Sequence, residues 1–537
     1  MPVLFPLGFG RNCDVSEPKT WFQTAAIDYP NSRPHIGTAF EKLGADVQAR
    51  YRRMEGYQVT FLMGNDENTL KVADKAKELG LDTQTYCDDM ARQFREVWDA
   101  LDFSYDVFVQ TSHPRHKLTC KKFVQKVYDN GYIYKGEYGG WFCPGCEEFK
   151  TEKYYTEFNG QCDSHKRPLI RRSEPCWYFR LSAFSDRLLQ YLKENPDFVQ
   201  PEIRRNEMIG FIEAEGLQDL NISRHGKEWG IPLPFDEDFT IYVWFDALLT
   251  YITGIGYGDD EGTFRKNWPA NVHIIGKDIT RFHTHIWPAM LWAAGEEVPK
   301  MVFSHGFITV EGQKMSKALG NVLDPIGDVI QKYKVGVDSY RYYFLRECPF
   351  TADGDYSEKR FIEVNNSELS NNLGNMLSRA ITLITKNYNS VLEGTAGIVP
   401  DAIAENLNLA EFVKTVRDHV EGYRYNLALQ TIVQELLTPT NQYLETHAPW
   451  KLVKTDKETA KKVLFNAVQS LRIASILLKP FIPRTAEAIY TSFNFPKPWQ
   501  EVSYADASER QAQPTDLTVI AELVDGKPKP LFPRISV

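Results

Sequence analysis

Residues 20–54 read TWFQTAAIDYPNSRPHIGTAFEKLGADVQARYRRM. Thr20–Ile27 predicts a strand, and the apolar spacing from Gly37 to Met54 predicts a helix. A strand, a turn and a helix in that order form the opening unit of a parallel sheet. Moving outward, the unit repeats. Gln58–Met63 is a second strand, followed by helices over Thr69–Leu79 and Asp82–Leu101. Val107–Gln110 is a third, followed by helix Pro114–Asp129. The rhythm resumes with Thr240–Trp244, Val272–Ile275 and Met301–Phe303, the first two each with a helix after it. This is the pattern of a doubly wound, Rossmann-type α/β sheet.

Between the two halves, Tyr132 to about Asn221 breaks the rhythm with hairpin-like stretches, paired cysteines and two helices, and reads as an insertion. After Pro349 the strands give way to helices with apolar residues at 3–4 spacing: Phe361–Tyr388, Leu409–His447, Thr459–Leu478 and Thr485–Phe493. The expected boundaries are 1–131 and 226–348 for the two halves of the sheet domain and 132–225 for the insertion. They are 349–505 for an all-α bundle and 506–537 for a tail. A chain of 537 residues exceeds what one core organises, in keeping with about three domains.

Apolar residues at 43% and charged residues at 25% are ordinary for a soluble globular protein. A net charge of −9 does not advertise a nucleic-acid binder, although a local basic surface is compatible with it. Met1 to Arg11 is interrupted by Pro2, Pro6, Gly8 and Gly10 and has no basic flank, so it is not read as a signal peptide; an Arg-rich transit segment is also missing. No apolar run reaches the length of a membrane span. Eight cysteines, with Cys13, Cys87, Cys120, Cys348 and Cys176 unpaired in sequence, fit a reduced, cytoplasmic protein.

Two segments suit phosphate chemistry. Pro34-His35-Ile36-Gly37 lies where the first strand hands over to its helix. Backbone N–H groups and the helix dipole attract anions there, and Gly37 leaves room for a flat adenine. Gly312-Gln313-Lys314-Met315-Ser316-Lys317 follows strand-like Gly306–Val310 and precedes helix Asp324–Tyr333; its two lysines can neutralise a triphosphate. Taken alone, each is an ordinary capping residue or solvated turn. Cys143-Pro144-Gly145-Cys146 and Cys162-Asp163-Ser164-His165, 15 residues apart, have the spacing of a closed, structural, tetrahedral zinc site.

Together the first two segments resemble the His-Ile-Gly-His and Lys-Met-Ser-Lys-Ser signatures of class I aminoacyl-tRNA synthetases. Tyr242-Val243-Trp244-Phe245-Asp246-Ala247, Gly276-Lys277-Asp278-Ile279, Arg281-Phe282-His283, Trp287-Pro288-Ala289 and Pro530-Leu531-Phe532-Pro533-Arg534-Ile535 resemble the methionyl-tRNA synthetase family in particular. So do Glu215-Gly216-Leu217, Ile222-Ser223-Arg224 and Trp229-Gly230-Ile231-Pro232. The resemblance implies a ligase that activates methionine with Mg²⁺–ATP and passes it to tRNA(Met), initiator and elongator. It puts Ile27, Tyr29, Asp66, Trp244, Ala247, Tyr251, Phe282 and His283 around methionine. Aromatic walls suit a thioether, and Asp66 suits the substrate ammonium. It puts His35, Gly37, Thr38, Glu41, Gly276, Asp278, Lys314, Met315, Ser316 and Lys317 at ATP, with His35, Lys314 and Lys317 stabilising the transferring phosphates. Trp244, Ala247 and Tyr251 are expected on one helix face. Asn375, Arg379 and Trp450 are expected to read the anticodon, Trp450 as an exposed aromatic at a helix end. The zinc knuckle is expected over the active site. Because the chain ends just after Arg534, with no appended tRNA-binding domain, a monomer is expected.

Three places depart from the family pattern: Thr38 for a His, Asn68-Thr69 for His-Gly, and Ala318 for a Ser. They keep open a non-catalytic paralogue that binds tRNA or methionine. A cysteine-specific synthetase is disfavoured by the Trp244, Tyr251 and Phe282 set and by the closed knuckle.

Overall fold

The computed structural model describes residues 19–143, 148–150, 152–226, 229–316, 319–401, 407–524 and 527–536. Among these, six strands form one parallel sheet: β1 (Thr20–Ala25), β2 (Gln58–Asn65), β3 (Val107–Gln110), β4 (Val199–Gln200), β5 (Val272–Gly276) and β6 (Val302–His305). Their order across the sheet is β3-β2-β1-β5-β6-β4. The strands are buried on both faces, as a parallel sheet requires. Ala25, Phe61, Met63, Ile274 and Phe303 join one apolar cluster, while Phe22, Leu62, Val109, Ile275 and Val302 join the other. The strand order reverses direction between β1 and β5, and a ligand crevice opens at the C-terminal ends of strands flanking such a point.

Helix α1 (Ile36–Met54) follows β1 and is buried along most of its length. Its far side does not face solvent but packs on the helical region, within the same apolar cluster. The Tyr425 hydroxyl donates to the Gly44 carbonyl at 2.8 Å, and the Tyr51 hydroxyl to Glu421 Oε1 at 2.8 Å. Helix α2 (Val337–Glu347) supplies a fully buried arginine to this joint. Arg341 Nη2 donates to Asp46 Oδ2 of α1 at 2.6 Å, and Nε donates to the Phe481 carbonyl at 2.8 Å. Beyond it, α3 (Asn375–Tyr388), α4 (Leu409–Glu421) and α5 (Lys457–Leu478) carry the bundle.

Four features differ from the sequence expectations. Thr240–Trp244 is not a strand of the main sheet: Asp236–Ile241 pairs antiparallel with Ser223–His225 and Pro232–Leu233 in a small separate sheet. Conversely, β4 lies inside the segment read as insertion and closes one edge of the main sheet. The segment Asp324–Tyr333 is a π-helical turn over Pro325–Gln331. Short strands persist after Pro349, at Gly354–Tyr356 and, pairing with one another, at Val391–Leu392 and Leu517–Thr518. The rest of the insertion combines a four-stranded antiparallel sheet, built on the long hairpin Ile133–Cys143 and Ile170–Phe179, with helices that include Ser185–Glu194 and Glu202–Glu215. No helix among the described residues is long and apolar enough to cross a membrane.

Candidate active site

The crevice at the switch point is a cavity of about 200 Å³. It gathers Ile27 and Tyr29 after β1, Asp66 after β2, Gly276 at the end of β5 and Asp278 after it, together with Glu41 of α1. Trp244, Ala247, Tyr251 and His283 also line it. Trp244, Ala247 and Tyr251 do not share one helix. Val243–Ala247 and Thr250–Thr253 are separate short helices, yet the pair keeps all three residues facing the cavity. Phe282 does not line it; its ring stacks on Trp244 at 3.8 Å and holds that wall from behind. Phe282–Ile286 is a π-helical turn, a local widening common at functional sites.

The apolar end is quiet electrically. His283 Nδ1 donates to the Ile279 carbonyl at 3.1 Å, so its Nε2 accepts from the Tyr251 hydroxyl at 2.7 Å. Burial lowers the His283 pKa to about 4, which keeps the ring neutral. Both polar groups are thereby satisfied by each other. They leave a wall of aromatic faces that suits a polarisable apolar side chain.

The opposite end is short of positive charge. Asp66 is buried and its Oδ1 has no hydrogen-bond partner among the described residues, as is also true of Asp28 Oδ2. Burial, and then the charge of Glu67, push its pKa up to about 8, against a lowering hydrogen bond from Tyr29. Asp246, also buried with Oδ1 unpartnered, is raised by burial and by Asp66. A buried carboxyl left in this condition is set to receive a cationic ligand. Glu41 is the contrast. Burial works against its ionisation, but Lys42 and His305 more than offset that and hold it at about 2. Lys42 Nζ donates to Glu41 Oε1 at 2.9 Å and to Asp28 Oδ1 at 2.7 Å, and His305 Nε2 lies 2.9 Å from Glu41 Oε2. Asp28, Lys42 and His305 were not singled out from sequence. The adjacent charges Glu41-Lys42 on a helix destined for burial were the available sign.

The start of α1 is not the open anion site expected of it. Gly37 and Thr38 N–H donate to His35 Nδ1 at 3.1 and 3.3 Å, and Ile36 N–H donates to the Leu323 carbonyl at 3.0 Å. Ala39 N–H bonds to the His35 carbonyl at 2.9 Å. His35 is therefore the N-cap, and when neutral it carries its proton on Nε2. The first amides of the helix are thus already engaged at this end. Over Gly37 stands the tip of the Met315 side chain: a Cβ at Gly37 would sit 2.7 Å from Met315 Cε. The glycine lets the lysine loop rest on α1. Gly276 has a similar role, since a Cβ there would sit 2.7 Å from Asp278 Oδ1.

The lysine loop springs from a small hairpin in which Gln313–Lys314 pairs with Ile308–Val310, leaving Lys314 exposed. Asn321 staples it, accepting from Ser316 N–H at 2.8 Å and donating to the Lys314 carbonyl at 3.2 Å. Sequence reasoning passed over Asn321, whose role depends on backbone geometry. Lys317 and Ala318 lie outside the described residues. Of the other departures, Thr69 caps helix Leu70–Glu78, accepting from Val72 N–H. Asn68 Nδ2 donates to Asp246 Oδ2 at 3.1 Å and to the Thr111 carbonyl at 3.0 Å.

Two further clusters stand apart. Ligand atoms of Cys143, Cys162 and His165 all lie within 4.8 Å of one another. Two sulfurs and an imidazole at that spacing fit a tetrahedral Zn²⁺; Cys146 lies outside the described residues. The apolar support there is small, with Leu169 as the buried aliphatic beside the two cysteines. In the bundle, Asn375 and Arg379 line a surface cavity together with Asn371, Asn372 and Asn441. The Arg379 guanidinium lies 5.3 Å over the Trp450 ring and pairs with Glu445 at 2.5 Å. Trp450 is half-buried, not exposed as expected, because Arg379 covers it.

Comparison with known proteins is consistent with both regions. The family model described as tRNA synthetases class I (M) matches residues 21–168 and 158–381, and that described as anticodon binding domain of methionyl tRNA ligase matches 394–524. The methionine–tRNA ligase of Caldanaerobacter subterraneus subsp. tengcongensis is 43% identical over 477 residues, 88% of this chain and 73% of that protein. That of Thermosynechococcus vestitus is 41% identical over 527 residues, 95% and 97% of the two chains. The solved Mycobacterium tuberculosis methionyl-tRNA synthetase in complex with methionyl-adenylate superposes with a TM-score of 0.84 at 36% identity, covering 96% of this chain and 100% of that one.

Proposed function

The chain belongs to the methionyl-tRNA synthetase family, ligases of class I, and on that premise we propose that its crevice makes methionyl-adenylate from methionine and ATP and then passes methionine to the 3′-terminal adenosine of tRNA(Met). One observation carries the amino-acid half: a buried, partnerless carboxylate oxygen on Asp66 shares a small cavity with an aromatic wall. The ammonium of methionine pairs with Asp66 and its thioether lies against Trp244, Tyr251 and His283. Phe282 backs Trp244, while Ile27, Tyr29 and Ala247 shape the rest.

The methionine carboxylate attacks the α-phosphorus of ATP, the α–β anhydride bond breaks and pyrophosphate leaves. The chain supplies position and charge and no nucleophile. His35 Nε2–H, Lys314 and Lys317 stabilise charge on the phosphates, with Met315 and Ser316 setting the loop, while Gly276 and Asp278 hold the ribose side. Glu41 anchors α1 to the strand ends, and Mg²⁺ enters with ATP. A ribose hydroxyl of tRNA then attacks the carbonyl carbon and AMP leaves. Asn375, Arg379 and Trp450 bind the anticodon, where a stacked base contributes about 1–3 kcal/mol. Zn²⁺, when bound, ties the arms of the insertion through Cys143, Cys162, His165 and Cys146. The reading extends to a cytoplasmic monomer serving initiator and elongator tRNA. The proposed units are 1–131 with 226–348, 132–225, 349–505 and 506–537.

Methionine-dependent ATP–pyrophosphate exchange, with leucine and cysteine as controls, tests this. Exchange with methionine alone is expected. No exchange with any amino acid, in folded zinc-replete protein, would favour the non-catalytic paralogue and direct attention to Thr38, Asn68 and Ala318.

A further inference from the structure

We infer that Met315 is a redox-sensitive modification site. A two-electron oxidant such as hydrogen peroxide converts its thioether to the sulfoxide, which releases the lysine loop from α1 and slows activation of the amino acid. The inference rests on the ligase reading above, whose rate the loop sets.

Oxidation selects by access, and access favours this residue. Among the described residues, Met208, Met301 and Met315 are part-exposed and the other methionines are buried. Met208 lies on the helix Glu202–Glu215 and Met301 just before β6, so Met315 is the one of the three that stands in the lysine loop. The competing thiols are shielded. Every cysteine among the described residues is buried, and burial is the largest cause raising the thiols of Cys87, Cys120, Cys176 and Cys348. A neutral, buried thiol reacts poorly, because the thiolate is the nucleophile.

The thioether makes a contact that an added oxygen spoils. A Cβ at Gly37 would lie 2.7 Å from Met315 Cε and 3.1 Å from His35 Nδ1, so the methyl rests on the glycine backbone beside the His35 ring. A sulfoxide sets a polar oxygen next to that methyl, on a sulfur that has become chiral. The nearest backbone donors are already taken. Gly37 and Thr38 N–H donate to His35 Nδ1 at 3.1 and 3.3 Å, and Ile36 N–H donates to the Leu323 carbonyl at 3.0 Å. An oxygen turned toward the helix stays unsatisfied or breaks the cap. One turned toward water takes the side chain off the glycine. Each outcome removes the resting place of the loop and leaves Asn321 to hold it, through Ser316 N–H at 2.8 Å and the Lys314 carbonyl at 3.2 Å.

In the oxidation a sulfur lone pair attacks one peroxide oxygen, the O–O bond breaks and water leaves. Sulfur is oxidised by two electrons and peroxide is reduced by two. A dithiol, acting through a sulfoxide reductase, returns the thioether and forms a disulfide and water. The same oxidant converts free methionine by the same reaction. The loop thus carries a sample of its substrate's own functional group, and activity falls as that group is oxidised.

The test treats the full, zinc-replete chain with graded hydrogen peroxide, removes the oxidant and follows Met315 by peptide mass spectrometry. As the Met315 peptide gains one oxygen, kcat for methionine-dependent pyrophosphate exchange is expected to fall about 10-fold with the methionine KM unchanged. Methionine sulfoxide reductase with dithiothreitol restores it. Hydrogen exchange of the loop amides speeds up in the oxidised protein, a readout that needs no catalysis. Met315→Leu, compared with its own untreated rate, keeps that rate through the same exposure. Met315→Gln, which imitates the polar sulfoxide, shows the faster amide exchange with no oxidant present. A loss that tracks zinc release instead of Met315 oxidation would overturn the inference. So would an equal proportional loss in Met315→Leu, or complete oxidation with the loop amides unchanged. Untreated chain that supports exchange with no amino acid would overturn the ligase reading instead, while the amide exchange would still decide whether oxidation frees the loop.

Discussion

On the proposed function the methionine cavity and the lysine loop serve one reaction, but they are built on opposite principles. The cavity is assembled from the ends of three parallel strands, and its aromatic wall is locked by ring stacking and by the Tyr251–His283 hydrogen bond. Its least satisfied charge is Asp66, whose pKa burial and Glu67 raise to about 8. The lysine loop stands on a two-residue strand, presents Lys314 to solvent, and is held by Asn321 and by the contact of Met315 with Gly37. One region is complete except for a charge; the other has charge in excess and waits for a position. Binding specificity belongs in the first and rate in the second.

Experiments that break one region should leave the other standing. Asp66→Asn removes the buried partner of the ammonium, and kcat/KM for methionine in exchange is expected to fall about 10²- to 10³-fold. A loss confined to the ATP KM would refute that assignment. Lys314→Ala is expected to cost about 100-fold in kcat with the methionine KM unchanged. Calorimetric titration with methionine alone should not distinguish it from wild type. Asn321→Ala, which frees the loop but keeps its lysines, should lower kcat about 10-fold. Equal activity would show that the loop is ordered by its substrate alone.

The smallest effect is one of pH. In the empty site Asp66 is raised to about 8, by burial first and by Glu67 second. The ammonium pairs with the ionised form, so binding at pH 7 expels a proton. Methionine affinity should rise severalfold from pH 7 to 8, and Asp66→Asn should flatten that rise. Stability of the ligand-free chain runs the other way. A carboxyl whose folded pKa exceeds its unfolded value favours the native state at low pH, and that contribution is lost as pH climbs toward 8.

Much of this contrast was legible in residues 20–54, where a strand runs into Pro34-His35-Ile36-Gly37 and its helix. The pattern located the strand-to-helix turn at Pro34–Gly37 because a buried parallel strand and the helix after it have distinct periodicities, whereas the switch point needed the strand order of the folded sheet. The two-residue β4 was not legible, since two residues carry no period, and the strand read at Thr240–Trp244 disclosed neither its true span, Asp236–Ile241, nor its antiparallel partners. Asp66, Tyr251 and His283 were found by resemblance, but the hydrogen bond that neutralises the last two belongs to tertiary geometry. So do the capping of α1 by the His35 ring and the stapling by Asn321, both contacts to backbone that no spacing rule reports.

Arg341 has a consequence for how long molecules are measured. It is fully buried and bonds at once to Asp46 in the helix that presents His35 and to the Phe481 carbonyl in the helical region. A joint of that kind ties the helix at the crevice to the helical region that carries the Asn375–Arg379 surface. The molecule is thus a caliper whose jaws are set by the fold. An RNA that must touch both jaws is gauged by its length and bend before any base is read.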